Sequence, residues 1–240
     1  MTITTNTRVV VLGGTSGIGL ATAKAAAVAG ASVVVASRNP VSVNSALAEL
    51  PERSEGYTVD ASSSEQLAAF FDEVGEFDHF AYTAGDNLVP ASLDSYTAEM
   101  GRAFLELRVV RAFEAVRLAV AHLRAGGSVA LTSGTAAYRG GSGWFLGSAA
   151  SGAIVSAARS LAVELAPIRV NVVAPGVVRS PLWAGLPDAD REAMFESVAA
   201  ALPLGRVAEV EDVAKAFVHL MDSDYLTGTV SVVDGGTLAA

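Results

Sequence analysis

A glycine-rich turn near the start of the chain restricts its fold more than any other feature of the sequence. The turn, Gly13–Gly19, directly follows the apolar run Val9–Leu12 and leads into an alanine-rich stretch with helical character. A strand joined to a helix by such a turn is the opening unit of a parallel α/β sheet. The same turn brings the free N–H groups at the start of the helix close to any anion that binds there.

The rest of the chain repeats this alternation of short apolar strands and longer helices. The predicted strands are Arg8–Leu12, Ser32–Ser37, Phe77–Thr83, Ser128–Ser133, Arg169–Val173 and Thr229–Val233, and the predicted helices are Gly17–Ala29, Val41–Leu50, Ser63–Val74, Ser95–Leu123, Trp144–Ala166 and Val210–Met221. The alternation predicts an α/β fold, a Rossmann-type doubly wound parallel sheet of about seven strands with helices on both faces. We expect one domain over residues 1–240, because no linker-like stretch interrupts the pattern.

The composition excludes several classes of partner. The chain has 16 Lys and Arg against 25 Asp and Glu, a net charge of −9, whereas nucleic-acid binding depends on clustered basic side chains. It has no cysteine, and its three histidines lack metal-ligand spacing. No uninterrupted apolar run reaches the length of about 18 residues that a membrane span needs, and the first residues do not resemble a signal peptide. We therefore expect no nucleic-acid, metal or membrane partner and a cytoplasmic location.

The end of the second predicted strand indicates which dinucleotide the turn would bind. Gly13, Gly17 and Gly19 let the backbone approach a pyrophosphate, and a carboxylate after the second strand would hold a ribose 2′-hydroxyl. The chain has Ser37 and Arg38 there instead, and a guanidinium makes forked contacts with phosphate. The pattern predicts a site for NADP(H). The alternative is a purely structural turn, with Arg38 as a solvated surface charge.

Further motifs resemble the short-chain dehydrogenase/reductase superfamily over nearly the whole chain. Besides the glycine turn they are Asp60, Thr83-Ala84-Gly85, Ser133, Glu164–Asn171, Pro175-Gly176 and Val233–Gly236. The resemblance implies the strand order 3-2-1-4-5-6-7, an adenine contact for Asp60 and a nicotinamide carboxamide contact for Ser180. The full set of cofactor-binding residues that we expect is Gly13, Thr15, Ser16, Gly17, Ile18, Gly19, Ser37, Arg38, Asp60, Ala84, Gly85, Pro175, Gly176, Val178 and Ser180.

Two long helices are implied to pair across a twofold axis in this superfamily. Here they correspond to Arg102–Leu123 and Gly147–Ala166, and the second is crowded with small residues that permit close approach of helices. We therefore expect a homodimer or homotetramer. Packing of these residues against the protomer's own sheet is the alternative explanation.

Part of the catalytic set that the resemblance implies is missing. The superfamily uses a Tyr hydroxyl as general acid and a Lys four residues later that lowers its pKa. Here the two positions correspond to Gly147 and Ser151, and the chain contains no Tyr-x-x-x-Lys. The Ser of the set corresponds to Ser133, and its Asn to Arg108.

Other groups would then have to assist the reaction. We predict that Ser133 polarises the substrate. Arg108 could hold an anionic substrate or a developing oxyanion, or it could belong to an interface cluster with Arg102, Arg111 and Arg117. Tyr138, on the loop after the fifth strand, is the first replacement donor to test, although an aromatic residue there commonly only shapes the pocket. Ser148 and Tyr82, which is expected beside the cofactor, are the other candidate donors.

These residues favour an atypical NADP(H)-dependent oxidoreductase that acts on a small carbonyl-like substrate. Loss of the tyrosine need not abolish reduction, because a general acid contributes about 10²–10⁴-fold in rate, whereas holding hydride donor and acceptor together contributes about 7–11 kcal/mol. Two alternatives stay open: an inactive NADPH-binding module that acts as a sensor or assembly subunit, and a pocket recruited to non-redox chemistry.

The segment at about residues 175–204 is long and does not follow the alternation of strands and helices. It holds four prolines, an exposed-looking Trp183 and a short helical pattern near Arg191–Ala201. Long excursions in compact domains are usually functional, so we interpret the segment as a lid over a ligand cleft. A simple surface excursion is the alternative.

Overall fold

The computed structural model describes residues 3–88 and 91–240, in which helices cover both faces of a parallel sheet. The strands are β1 (Arg8–Leu12), β2 (Ser32–Ser37), β3 (Glu55–Thr58), β4 (Phe77–Tyr82), β5 (Leu123–Thr132), β6 (Arg169–Pro175), β7 (Val178–Arg179), β8 (Ala208–Glu209) and β9 (Val230–Val233). The helices are α1 (Gly17–Val28), α2 (Pro40–Ala48), α3 (Ser64–Val74), α4 (Ala98–Leu105), α5 (Arg111–Val120), α6 (Phe145–Glu164), α7 (Asp188–Ala201) and α8 (Val210–Asp222).

Seven strands form the main sheet in the order β3-β2-β1-β4-β5-β6-β9, and each neighbouring pair is parallel. The predicted α/β class and strand order are confirmed, with β9 as the seventh strand. Runs of β-branched residues suit strands that are buried on both faces, and every side chain of Val9–Leu12 is buried. The short pair β7 and β8 forms a separate parallel ribbon.

The helix predicted over Ser95–Leu123 is divided in the structure. Thr97 caps the start of α4, where its side chain accepts a hydrogen bond from the N–H of Met100 at 3.2 Å. A π-helical turn, Glu106–Val110, then separates α4 from α5. Hydrophobic periodicity does not reveal such a turn, because it inserts one residue without ending the helix.

Apolar side chains pack on both faces of the main sheet. On one face α3 contributes Phe71, which lies edge-to-face against Phe80 of β4 at 5.5 Å between ring centroids. On the other face α1 and α8 cover the strands with side chains such as Ala23 and Phe217. The two layers hold the carboxyl ends of the strands side by side, and the candidate site lies at that edge.

Helix α6 is both long and apolar. Within residues 3–88 and 91–240 it is the one helix whose length and composition would suffice to cross a membrane. It packs on β6 and buries Ile154, Val155 and Ala158 in the core that includes Phe71 and Phe80, which is the place of a core helix. The pairing of this helix with a second protomer stays a prediction, as does the cytoplasmic location.

The expectation of an exposed Trp183 is wrong. The side chain is 5% exposed, its ring lies edge-to-face against Trp144 at 5.9 Å between centroids, and its Nε1–H donates to the Val178 carbonyl at 2.9 Å. With Phe195 of α7 it forms a small separate apolar cluster. A tryptophan gains more from such packing than from any surface position, since its large apolar area leaves water.

A histidine is fully buried within the main sheet. His79 of β4 shares a hydrogen bond of 2.9 Å between Nδ1 and the Ser128 hydroxyl, whereas its Nε2 has no partner among the described residues. Burial and, as a smaller contribution, the nearby Arg169 guanidinium together lower the pKa of His79 from 6.5 to about 4. His79 is therefore neutral in the folded protein at neutral pH.

Acid is expected to destabilise the fold through His79. Because its folded-state pKa lies below the unfolded value, the unfolded chain takes up the proton first, and stability is lost as the pH falls from about 6.5 to about 4. The loss is on the order of 3 kcal/mol once both states are protonated. Urea unfolding at several pH values would measure it. The His79→Asn variant should lose this slope and exposed His219→Gln should keep it; an unchanged slope in His79→Asn would contradict the assignment.

Candidate active site

A cleft of about 670 Å³ opens where the carboxyl ends of β1, β2, β4 and β5 meet. Each of these strands contributes its last residue to the lining, namely Leu12, Ser37, Tyr82 and Thr132. In open α/β sheets the helices diverge at this edge, and ligands bind outside the carboxyl ends of the strands. The volume lies in the range of small-molecule and cofactor sites.

The glycine-rich turn forms one end of the cleft. Gly13 and Gly17 have positive φ values of 88° and 51°, which favour glycine. At Gly13 a Cβ atom would lie 2.5 Å from the amide nitrogen of Ala84, so the turn packs directly on the loop after β4. The side chain of Ser16 makes no capping hydrogen bond, which leaves the first N–H groups of α1 available to an anion.

The residues expected at the adenosine end also line the cleft. The Ser37 hydroxyl is buried and has no hydrogen-bond partner among the described residues. The Asp60 carboxylate accepts hydrogen bonds from the N–H of Ser62 at 2.9 Å and from its hydroxyl at 2.7 Å, and these bonds lower the pKa of Asp60. Arg38 completes this end as a mostly exposed guanidinium. An unpartnered hydroxyl, an ionised carboxylate and a cation fit the adenosine half of a phosphorylated dinucleotide.

The structure brings together twelve of the fifteen predicted cofactor-binding residues, because Thr15, Ser16, Ile18, Ala84, Gly85 and Ser180 line the cleft as well. Pro175, Gly176 and Val178 are not in the lining. Pro175 pairs with β9, a Cβ at Gly176 would lie 3.1 Å from the Cα of Asp234, and buried Val178 pairs with β8. These three residues hold the segment that carries Ser180 rather than face the cleft.

Helix α6 forms one wall of the cleft, and the residues that it contributes to the lining carry no acidic or basic side chain. Gly147 and Ser151 lie one helical turn apart and both line the cleft, which is where the superfamily resemblance places the tyrosine and the lysine. A Cβ atom at Gly147 would meet nothing nearer than Cε3 of Trp144 at 3.8 Å. The position therefore has open space in front of it.

Ser133 lines the same wall, but its hydroxyl proton already takes part in a hydrogen bond within the protein. The Ser133 hydroxyl donates to the Ser151 carbonyl of α6 at 2.9 Å. To polarise a substrate, the hydroxyl would have to rotate away from that carbonyl. Its catalytic role stays a prediction.

Arg108 enters the cleft from the π-helical turn. Its Cζ lies 4.3 Å from the ring centroid of Phe104, and its Nη2 donates to the carbonyls of Asp86 and, at 3.5 Å, Asn87. Burial lowers the pKa of the guanidinium, while nearby Asp86 opposes the shift, and an arginine remains charged at any physiological pH. Among the described residues Nη1 and Nε of Arg108 donate to no protein group. Arg108 is thus a fixed cation beside the cleft, with donors that no described residue uses.

None of the other three arginines, Arg102, Arg111 and Arg117, lines the cleft with Arg108, and an interface cluster of the four stays a prediction. Arg111 instead makes ion pairs with Glu106 at 2.8 Å and with Glu114, and both Arg102 and Arg117 are exposed outside the cleft lining. Because Arg108 lines the cleft, its position favours the interpretation in which it holds an anionic substrate or a developing oxyanion.

The structure does not bring Tyr138 into the cleft. It follows the short 3₁₀ turn after β5, is 45% exposed and does not contribute to the lining. Tyr82 does line the cleft, but its hydroxyl donates to the Leu107 carbonyl at 2.6 Å, and burial raises its pKa far above the ordinary value. Neither tyrosine is placed to donate a proton to a substrate.

Several lining residues were not among those that the sequence predicted. They come from the loop after β4 and from α4 with its π turn: Asp86, Asn87, Leu88, Ala103, Phe104 and Glu106. Asp86 could have been noticed, because it is a charge that directly follows the Thr-Ala-Gly motif. The others are ordinary helix and loop residues without a distinctive sequence pattern.

Comparison with known proteins decides the family. Residues 13–237 match the family model described as enoyl-(acyl carrier protein) reductase. The short-chain dehydrogenase/reductase ucsE of an Acremonium species is 36% identical over 97% of this chain and 95% of its own length. The chain belongs to the short-chain dehydrogenase/reductase superfamily.

Two solved structures of short-chain dehydrogenase/reductases resemble it along their whole length. A small-chain dehydrogenase in complex with NADPH is 32% identical with a TM-score of 0.87, and the alignment covers 98% of this chain and 99% of the other. A short-chain oxidoreductase from Pseudomonas aeruginosa, bound to NADPH and containing an atypical catalytic center, is 28% identical with a TM-score of 0.90, covering 99% and 98%. This chain is similar to both.

Proposed function

We propose that this protein is an NADP(H)-dependent oxidoreductase that reduces small carbonyl-like substrates without the tyrosine and lysine of its superfamily. The observation that carries the proposal is the shared cleft. The glycine-rich turn and Arg38 line one end, and Arg108, Ser133 and the bare wall at Gly147 line the other. Similar proteins that bind NADPH, one of them with an atypical catalytic center, support the same cofactor here.

The chain's own residues bind and orient both ligands. The N–H groups at the start of α1 hold the pyrophosphate, and Arg38 holds the 2′-phosphate. When bound, NADPH supplies a hydride to the carbonyl carbon. Arg108 then holds the oxygen on which the electron pair of the C=O bond arrives, and a guanidinium is well suited to this because its charge is fixed before the reaction.

The proton has to come from another source, because an arginine does not give up its proton. The cleft is open to solvent, so water delivers the proton to the oxygen. Substrates that need little help are favoured, such as those with an internal hydrogen-bond donor beside the carbonyl or iminium-like groups that are already activated. Slow turnover of simple ketones follows from the same reasoning.

A second candidate function is an NADPH-binding module without turnover. The hydrogen bond from the Ser133 hydroxyl to the Ser151 carbonyl favours it, since the one retained superfamily donor already donates to a group of the protein. The two candidates share the cofactor and differ only in whether a substrate is reduced.

The cofactor assignment predicts a selective loss of affinity in Arg38→Ala. Charged hydrogen bonds contribute about 1.5–3 kcal/mol, so NADPH should bind roughly 10- to 100-fold more weakly while NADH affinity changes little. Calorimetric titration with both nucleotides measures this, and exposed Arg159→Ala is a control with the same change of charge. Equal losses for NADPH and NADH would refute the phosphate contact.

A panel of carbonyl compounds, followed by the near-ultraviolet absorbance of NADPH, tests the reaction. Turnover of any of these compounds with oxidation of NADPH would support the enzyme. NADPH binding without turnover of any compound would support the module. Failure of the wild-type protein to bind either nucleotide would overturn both.

A further inference from the structure

An ion pair spans the cleft at the adenosine end. Nη2 of Arg38 lies 3.2 Å from Oδ1 of Asp86, and the side chains are 72% and 52% exposed. Arg38 follows β2, and Asp86 follows β4 three residues beyond Thr83. Since β2 and β4 lie on either side of β1, the pair crosses over the end of β1, where the glycine-rich turn begins.

The loop that carries Asp86 is also tied to the rest of the site. The Asp86 carbonyl accepts a hydrogen bond from Arg108, and the N–H of Leu88 donates to the Leu182 carbonyl at 3.0 Å. The backbone of the loop is therefore held from both sides. The carboxylate of Asp86, by contrast, is held by Arg38 alone among the described residues.

We propose that Asp86 determines how strongly this chain prefers a 2′-phosphorylated dinucleotide, by competing with the 2′-phosphate for the Arg38 guanidinium. This rests on the proposed function, in which Arg38 binds that phosphate. The carboxylate has to release Arg38 when the phosphate arrives, and the two anions then lie next to each other. An unphosphorylated ribose binds without breaking the ion pair.

Asp86 therefore weakens binding of the phosphorylated cofactor more than that of the unphosphorylated one. Its effect is to moderate a preference that Arg38 creates. Exposed ion pairs contribute little individually, so the effect is modest, and salt screens it.

The test compares 2′,5′-ADP with 5′-AMP, two fragments that differ in the 2′-phosphate, by calorimetry with the full chain. Asp86→Asn should bind 2′,5′-ADP about threefold to tenfold more tightly at low salt, with 5′-AMP affinity unchanged and the gain smaller at high salt. In the Arg38→Met background the same substitution should change 2′,5′-ADP affinity much less. Asp94→Asn, an exposed acid outside the cleft, changes the net charge equally and should give no gain.

Several results would overturn the proposal. They are an unchanged or weakened affinity of Asp86→Asn for 2′,5′-ADP, a change of preference caused only by weaker 5′-AMP binding, or an equal gain with and without Arg38. These failures differ from failure of the proposed function. In that case the wild-type protein would bind neither NADPH nor 2′,5′-ADP.

Discussion

The double substitution Gly147→Tyr with Ser151→Lys is expected to raise the rate of NADPH-dependent reduction of simple ketones by about 10²- to 10⁴-fold. The physical reason is that the two new side chains supply a general acid and the cation that lowers its pKa. Steady-state kinetics on the ketones of the panel measure the gain in kcat/KM. Both positions already line the cleft, so no backbone movement is required.

Local geometry favours this result. The space in front of Gly147 is free up to the Trp144 ring, and Ser151 lies one helical turn away on the same face of α6. The matched control is Gly147→Phe with Ser151→Lys, which adds the same ring and cation without the hydroxyl. A gain that the phenylalanine variant shares would have another cause, and no gain in the tyrosine variant would count against the alignment of this helix.

The second large effect is expected from Arg108→Met, which should lower kcat/KM for carbonyl reduction by about 10²- to 10³-fold, the range found for removal of one donor to a developing oxyanion. Methionine keeps much of the apolar stem of Arg108 and removes the guanidinium that lies over the Phe104 ring. NADPH affinity should change little, because Arg38 and the glycine turn are untouched. Steady-state kinetics and calorimetry on the same preparation measure both quantities.

Two comparisons separate a role in the reaction from a structural one. Arg117→Met removes an exposed guanidinium from α5 outside the cleft and should leave kcat/KM near the wild-type value. Arg108→Lys keeps the charge but not the fork, and should recover part of the loss. If Arg108→Met lowers the thermal midpoint and NADPH affinity together and leaves kcat/KM intact, then Arg108 only holds the loop at Asp86.

The sheet and the cofactor end of the cleft could be predicted because their signals are local. The bounds of β1 and β2 agree with the sequence prediction, since each strand is an unbroken apolar run that ends at a glycine or at Ser37. The glycine turn, Asp60 and Ala84 directly follow such strands. Parallel strands bring their carboxyl ends to one edge, so residues in these positions meet in space wherever they lie in the chain.

The substrate end could not be predicted in the same way, because its side chains are directed by distant contacts. Trp183 is buried only because Trp144 and Phe195 lie against it. Tyr138 is directed outward by a 3₁₀ turn that has no marked sequence pattern. The same holds for Asp86 at the adenosine end, because its partner Arg38 lies on the other side of β1 and becomes a neighbour only when the sheet forms.

The π-helical turn at Glu106–Val110 has a consequence for how this site can change. One inserted residue turns everything after it by about 100° around the helix axis relative to an unbroken α-helix. The direction of Arg108 is thereby uncoupled from the stripe of α5 that packs into the core through Ala112, Ala115 and Ala119. Side chains at the substrate end can therefore change without altering the buried stripe that stabilises α5. Substitutions of this kind allow a scaffold to acquire new chemistry.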